Sequence, residues 1–469
     1  MRLTIVGGGG FRVPLVYRAL FAGPFAGLVR ELVLYDVDAG RLAAIEAALA
    51  ALAQQGTHGQ GPQGHGPQGA GPQVRTASSL AEALDGTDMV FAAIRPGGTA
   101  GRISDERIAL ELGLLGQETT GAGGISYALR SIPPMLRLAE EMRNRCPGAW
   151  LLNFTNPAGM VTEALVPVLG RRVIGICDSA SGLVHRAARA AGVTLPAGGL
   201  DGVGYYGLNH LGWLYRLKSG GRDALPGLLA NPAALAGFEE GRLFPPEFLA
   251  DLRCLPNEYL FYYYDTARAL AGMRGADLTR GESIARQQAE LYPRLASAGP
   301  DAFALWEAAR RSREEGYLAE ARTPGEHRDE SDLAGGGYER VALAAMRALS
   351  GGGPTDLILN TVNTVAGSAV PAVPGLPADA VVEVPCAVTS DGAVPLPQDP
   401  PGPEQLTLMR RVKEVERFVV EAVTTGRREA ALAAFARHPL VDSEVLAAEL
   451  LTGYEAAFPE LGSLWHIGP

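Results

Sequence analysis

The chain has 469 residues, 47% of them hydrophobic, and a formal net charge of −10. That length allows one large α/β body with an elaborated second half, or two domains sharing an extensive interface. The acidic balance argues against a nucleic-acid groove, and no apolar run is long enough to span a membrane.

Met1 leads straight into a strand-like run, without the basic start and cleavage site of a secretory signal, which predicts a cytoplasmic protein. RLTIVGGGGFRVPLVYRALF then reads as strand, glycine turn and helix. Gly7, Gly8, Gly9 and Gly10, followed by Phe11 and Arg12, place backbone amides and a helix start where a pyrophosphate binds. The third glycine of the usual fingerprint is absent, so a tight structural turn is the other reading of the glycines alone. Asp36 ends the next strand, where a carboxylate holds the adenosine ribose through its hydroxyls.

Residues 54–74 are rich in Gly, Gln and Pro and predict a mobile surface insertion, too flexible for His58 and His65 to build a catalytic metal site. MVFAAI, AWLLNFT and RVIGIC continue the strand and helix alternation, which implies right-handed crossovers and a parallel sheet. The predicted fold class is α/β: a doubly wound Rossmann-type sheet over residues 1–175, followed by a mixed α+β domain over 176–469 for substrate, metal and oligomerisation, ending in helices.

Cys177 and Asp178 follow RVIGIC at the carboxyl edge of that sheet, where ligands gather. A lone cysteine is more often packing, and His210 in GLNHLGW is by itself more often a core histidine. Cys146, Cys177, Cys254 and Cys386 contain no Cys-x-x-Cys pair, so neither a zinc cage nor a disulfide framework is expected. Tyr259 lies in PNEYLFYYY, a run that suits a core or a sugar-stacking wall, and Tyr262, Tyr263 and Tyr264 remain equal candidates for reactivity. Lys218 and Lys413 are the only lysines and neither follows a glycine loop, so a Walker-type nucleotide site is disfavoured and anion binding falls to arginine or backbone.

GGGG, LYDVD, RPGG, GQETTGAGG, NFTNPAG, GICDSA, GLNHLGW, PNEYLFYYY and VVEVPC occur in the order of the blocks of glycoside hydrolase family 4, over nearly the whole chain. QETTGAGG with PNEYLFYYY looks most like the 6-phospho-β-glucosidase branch. The resemblance implies NAD and a divalent metal, usually manganese, with Cys177 and His210 as metal ligands. It further implies Tyr259 as the base that removes the sugar C2 proton and Asp178 as the acid toward the leaving group. Asn156, with Asn153 as a nearby alternative, would bind sugar hydroxyls beside Asn209 and Glu118. Arg95 and Arg280 match positions near a 6-phosphate. A small phosphorylated glycoside is the implied substrate, and a homodimer or homotetramer the implied assembly, with no nucleic-acid or membrane partner.

Three features depart from that pattern. Gly10 and Val13 stand where the family commonly has Ser and Thr, Asp178 where the β-specific members have Asn, and LAGGGYERV lacks a basic residue before its paired glycines. Two other classes share parts of the pattern. A dehydrogenase of the lactate and malate class would release NADH stoichiometrically, and a non-catalytic NAD sensor would leave Cys177, His210 and Tyr259 without a common purpose.

Overall fold

The structure is a computed structural model that describes residues 1–21, 23–57, 71–322, 327–328 and 337–465. His58 and His65, and residues 333–336 of LAGGGYERV, lie outside the described residues.

Strands β1 (Arg2–Val6), β2 (Glu31–Tyr35), β3 (Gln73–Thr76), β4 (Met89–Ala92), β5 (Trp150–Asn153) and β6 (Val173–Gly175) are all parallel, in the order β3-β2-β1-β4-β5-β6. This is the doubly wound dinucleotide-binding order. Every residue of β4, β5 and β6 is buried, as expected for parallel strands covered on both faces. Alternate side chains feed two cores. Leu3, Ile5, Met89 and Phe91 pack with helices α1 (Val13–Ala19) and α2 (Ala39–Thr57), whereas Val90, Ala92 and Leu151 face the other side.

The edge strand β3 differs from expectation: Gln73 pairs with Glu31 and α2 continues to Thr57, so both ends of the Gly/Gln/Pro stretch belong to regular elements. The described helix runs past its last alanine, Ala53, through Gln54 to Thr57, and the Gln-Val-Arg-Thr run at the far end has the partner it needs in β2.

The sheet continues past residue 175. Strands β7 (Val203–Leu208), β8 (Leu211–Ser219), β9 (Arg222–Asp223), β10 (Leu255–Pro256), β11 (Thr355–Val362), β12 (Val381–Thr389) and β13 (Gly392–Pro395) bring the sheet to thirteen strands among the described residues, with β11 antiparallel to β6 and β12 joining β11 to β7. The expected domain boundary therefore falls inside one sheet. The C-terminal helices also cross it: Val415 and Val419 of Pro403–Thr425 share a core with Ile125 and Leu129 of helix Ala122–Arg145. Among the described residues no helix is long and apolar enough to cross a membrane.

Helix Arg280–Ser297 begins at the cleft described below. Thr279 Oγ1 accepts from Glu282 N at 3.2 Å while Glu282 Oε2 accepts from Thr279 N at 2.8 Å, a reciprocal capping box that fixes Arg280 in the first turn. Glu106 Oε2 accepts from Gly281 N at 2.7 Å and anchors the same turn to helix Gly98–Glu111. Thr279→Ala is expected to lower the unfolding free energy by about 1 kcal/mol. Urea denaturation of the two proteins at equal NAD concentration checks this.

Candidate active site

A cleft of about 1680 Å³ runs along the carboxyl ends of the parallel strands and beneath the second half of the chain. At one end the glycine turn folds over β1. Gly7 and Gly8 donate to Tyr35 O at 2.9 and 2.8 Å, Gly9 N to Asp36 Oδ2 at 2.9 Å, and Gly10 N to Gly7 O at 2.9 Å. The glycine amides are thus used in closing the turn, and the amides of Phe11 and Arg12 are the ones without an acceptor among the described residues. Gly7 has φ +95°, and a Cβ there would sit 2.5 Å from Ala93 O, which explains why only glycine fits. Gly8 and Gly9 do not line the cleft; Gly7, Gly10, Phe11, Arg12 and Asp36 do. The Arg12 side chain turns away toward Asp178 Oδ2 at 3.9 Å and Glu314 Oε1 at 3.8 Å.

Cys177 follows β6 by two residues and His210 lies in the tight turn between β7 and β8, with φ 62°. A histidine in the left-handed region is a strained placement of the kind concentrated at functional sites. It brings His210 Nε2 within 3.5 Å of Cys177 Sγ, while Nδ1 lies 3.1 Å from Thr119 Oγ1. Burial drives the imidazole down to about 3, so it is neutral near pH 7 and its Nε2 can serve as a ligand once Nδ1–H is held by Thr119. Burial and then Glu383 push the Cys177 thiol up. Soft sulfur beside neutral imidazole fits a divalent transition metal. No group of three or more His, Cys, Asp or Glu able to hold a metal exists among the described residues, so this pair leaves coordination positions open.

Tyr259 stacks flat on His210, with ring centroids 3.7 Å apart and an interplanar angle of 5°. Burial raises its phenol well above the ordinary value, Glu258 and Cys177 add to that, and a hydrogen bond with Tyr317 pulls it back. Of the other tyrosines in the run, Tyr262 donates to Glu320 at 2.5 Å and Tyr264 receives Trp213 Nε1 at 3.0 Å. Tyr263 lies 3.5 Å from His438 and faces a small separate cavity. Tyr259 alone of the four reaches the Cys177 and His210 pair through a ring contact. Asp178 occupies the N-cap position of helix Ser179–Ala190 without a side-chain capping hydrogen bond, at the cleft wall next to Gly337.

Arg95 Nη1 lies 2.6 Å and Arg102 Nη1 2.8 Å from the Glu118 carboxylate. Burial works to raise Glu118, but Arg102, Arg95 and Arg313 outweigh it and hold the carboxyl down at about 2. Arg280 and Arg313 also line the cleft and form no ion pair among the described residues; Arg280 Nη2 donates to Arg313 O at 2.5 Å. Burial, then Arg102, lowers Arg280 to about 10; burial, then Arg12 and Arg280, lowers Arg313 to about 9. Both remain cationic at pH 7; burial is the larger cause, and the neighbouring guanidiniums add to it against the pull of Glu118.

The asparagines divide. Asn156 lines the cleft. Asn153 does not: its Nδ2 donates to Thr155 O, Ala158 O and Thr162 Oγ1, and its Oδ1 accepts from Thr155 N, so it braces the loop after β5. Asn209 accepts from Ala158 N at 3.1 Å and donates to Glu383 at 3.4 Å, which ties the His210 turn to the sheet rather than to the cleft.

Three cleft residues carry no mark in the sequence reading. Glu258 sits one place before Tyr259 in PNEYLFYYY, where its neighbour drew the attention; Arg313 and Tyr317 lie in RRSREEGYL, which has no distinguishing spacing. Burial, then Glu240, raises Glu258, and its Oε1 receives Ser179 Oγ at 2.6 Å and Tyr317 at 3.2 Å.

Because Glu118 is depressed in the folded protein, its contribution to stability is complete above the unfolded value of about 4.3 and fades as pH falls toward 2. Glu118→Gln is expected to cost about 2 to 3 kcal/mol at pH 7, with the gap to the parent narrowing below pH 4. Denaturant titrations at pH 7, 5, 4 and 3 measure that gap.

The profile of the family 4 glycosyl hydrolases matches residues 2–193, and that of the family 4 glycosyl hydrolase C-terminal domain matches residues 205–441. A probable 6-phospho-β-glucosidase of Bacillus subtilis is 30% identical over 397 residues, 81% of each chain. A 6-phospho-α-glucosidase of Lacticaseibacillus paracasei is 34% identical over 278 residues, 56% of this chain and 59% of the relative. The Thermotoga maritima 6-phospho-β-glucosidase, solved with manganese, NAD+ and glucose-6-phosphate, superposes with a TM-score of 0.78 at 26% identity, covering 98% of this chain and 99% of that one. With profiles matched along almost its entire length, the chain belongs to the family 4 glycosyl hydrolases.

Proposed function

We propose that the substrate of this NAD- and metal-dependent glycosidase is a 6-phospho-β-glucoside, cleaved by elimination rather than displacement. The observation that carries this reading is the juxtaposition of Cys177 Sγ and His210 Nε2, 3.5 Å apart, with the Tyr259 ring stacked on that histidine in a cleft that also holds the glycine turn. Manganese and NAD accompany the Thermotoga maritima enzyme, and Cys177 with His210 and the Gly7 to Arg12 turn with Asp36 are the residues here that would hold them. When bound, NAD supplies reversible oxidation at sugar C3 and the metal supplies the Lewis acidity that makes the neighbouring C2 proton removable.

The protein's own groups do the rest. Tyr259 is the group placed to take the proton from C2; burial raises its phenol, and the positive charge of a metal bound beside His210 would favour the phenolate that acts as the base. Asp178, at the cleft wall with the Arg12 guanidinium 3.9 Å from its carboxyl, is the group placed to pass a proton to the departing oxygen at C1. Water adds at C1, and the sugar returns to its original oxidation state. Arg280 and Arg313, unlike Arg95, form no direct ion pair among the described residues and suit the 6-phosphate.

A 6-phospho-α-glucoside is the second reading, favoured by Asp178 in place of Asn and by the Lacticaseibacillus paracasei relative. Aryl α- and β-glucosides with and without the 6-phosphate, assayed with NAD and manganese, decide between them.

Turnover in heavy water tests the chemistry. The product is expected to carry deuterium at C2, with Tyr259→Phe losing that exchange by about a hundredfold or more. Hydrolysis that needs no NAD and leaves the C2 hydrogen in place would overturn the elimination reading.

Arg280→Ala and Arg313→Ala are each expected to raise KM for a phosphorylated glucoside on the order of tenfold to a hundredfold and to leave the unphosphorylated one nearly unchanged. Arg95→Ala is expected to have the smaller effect, because Glu118 already engages that guanidinium. Steady-state kinetics on the paired substrates distinguishes these outcomes.

A further inference from the structure

His210 meets the Cys177 thiol with one ring nitrogen and the Thr119 hydroxyl with the other, and in the neutral ring only one of the two nitrogens carries a hydrogen. Gln117 decides which. Its Oε1 accepts from the backbone N–H groups of Thr119 and Thr120, each at 2.6 Å. Backbone N–H groups only donate, so the side-chain atom they meet is the oxygen of the amide and not its nitrogen. Thr119 Oγ1 lies 3.1 Å from that same oxygen. An amide oxygen carries no hydrogen, so the hydrogen between these two atoms is the one on the Thr119 hydroxyl. Thr119 Oγ1 then has only lone pairs to offer His210 Nδ1, 3.1 Å away. The hydrogen of that contact belongs to Nδ1, and Nε2 keeps its lone pair on the side of Cys177 Sγ.

His210 is 5% and Thr119 8% exposed, so bulk water competes poorly for either group. Two glycines of helix Ala122–Arg145 let the loop come this close: a Cβ on Gly124 would sit 2.5 Å from Thr119 O, and one on Gly123 would overlap Gln117 O. Glu118, between the two, turns instead to Arg95 and Arg102. The middle residue of Gln117-Glu118-Thr119 therefore serves the arginines, and the outer two serve the histidine.

We propose that Gln117 and Thr119 are positioning residues that set the tautomer of His210: Gln117 orients the Thr119 hydroxyl, Thr119 holds Nδ1–H, and Nε2 is thereby offered to a divalent metal as a lone pair. This rests on the assignment of Cys177 and His210 as the metal-holding pair. The opposite tautomer would aim an N–H at the metal position and close it.

The test uses the full chain, labelled with nitrogen-15 at histidine and loaded with NAD. Two quantities are read: the nitrogen shifts of the His210 ring in metal-free protein, assigned by their loss in His210→Gln, and the dissociation constant of Mn2+ alone, followed by the EPR signal of the free ion. The parent is expected to show a hydrogen on Nδ1 and none on Nε2. Thr119→Val keeps the shape but removes the acceptor, and is expected to mix the two tautomers and weaken Mn2+ binding by about tenfold to a hundredfold. Gln117→Ala frees the Thr119 hydroxyl to donate to Nδ1, and is expected to move the signals the same way with a loss of about threefold to tenfold. Thr119→Ser keeps the hydroxyl and is expected to stay within about threefold of the parent, with NAD affinity near that of the parent throughout. Should Thr119→Val fail to fold, as judged by circular dichroism, Gln117→Ala and Thr119→Ser decide. Signals that broaden in these variants with no hydrogen appearing on Nε2 assign the loop a structural role only and overturn the proposal. A hydrogen on Nε2 in the parent overturns it too. Parent-like Mn2+ affinity in Thr119→Val and Gln117→Ala, while His210→Gln loses the ion, overturns the positioning role and leaves the metal pair standing. Unchanged Mn2+ affinity in His210→Gln removes the metal assignment and this inference with it.

Discussion

Glu383 accepts hydrogen bonds from the Tyr205 hydroxyl at 3.0 Å, Asn360 Nδ2 at 3.1 Å and Asn209 Nδ2 at 3.4 Å, and the distance between Cys177 and His210 depends on that cluster. Asn360 is the residue of β11 that opposes Gly175 of β6, and Glu383 is the residue of β12 that opposes Gly207 of β7. The first pairing is the seam at which the parallel half of the sheet meets the antiparallel half, and the second joins β12 to the β7–β8 hairpin within the antiparallel half. Gly175 stands two residues before Cys177, and Asn209 immediately precedes His210. Burial raises the Glu383 carboxyl to about 7 while the three donors pull it down, so the network is held together by hydrogen bonds in a site where an unpaired group would be costly. The close approach is possible because Gly175 has no side chain: a Cβ there would lie 2.8 Å from Asn360 Cβ and 2.4 Å from Thr162 Oγ1.

The parts of this architecture that were readable in the sequence are those with local periodicity. Strands such as MVFAAI and AWLLNFT carry their burial in their composition, and the glycine turn and Asp36 occupy fixed offsets from β1 and β2. The joining of the two halves was not readable, because a seam made at single residues such as Asn360 and Glu383 leaves no repeating pattern. For the same reason Asn153 and Asn209 read as sugar ligands. Amides that brace loops and amides that bind hydroxyls are the same residue type, and only the burial of Asn153 against Thr155, Ala158 and Thr162 separates the two uses. The division of labour among the arginines was equally hidden. RPGG and LTRGES place Arg95 and Arg280 at the cleft, but nothing local shows that Glu118 folds back onto the first and forms no ion pair with the second.

That division gives the cleft an electrical polarity that the net charge of −10 conceals. On one wall burial and neighbouring guanidiniums lower Arg280 and Arg313, and neither forms a direct ion pair with a carboxylate among the described residues. On another, Glu239 and Glu240 are matched by Arg328 and Arg186, and Glu258 stands beyond that pairing with hydroxyl donors only. A ligand with an anionic end and a neutral polyhydroxylated end meets a wall suited to each, and low-dielectric surroundings strengthen the distinction. Binding energy drawn from the anionic end acts away from the bond that breaks, which lets it orient the reacting carbons without tightening the ground state at them. The burial of Tyr259 against His210, with Cys177 beside that histidine, completes the arrangement. On the function proposed above, the charge that recruits the substrate and the groups that transform it belong to different side chains of one cleft, so either set can be altered without dismantling the other.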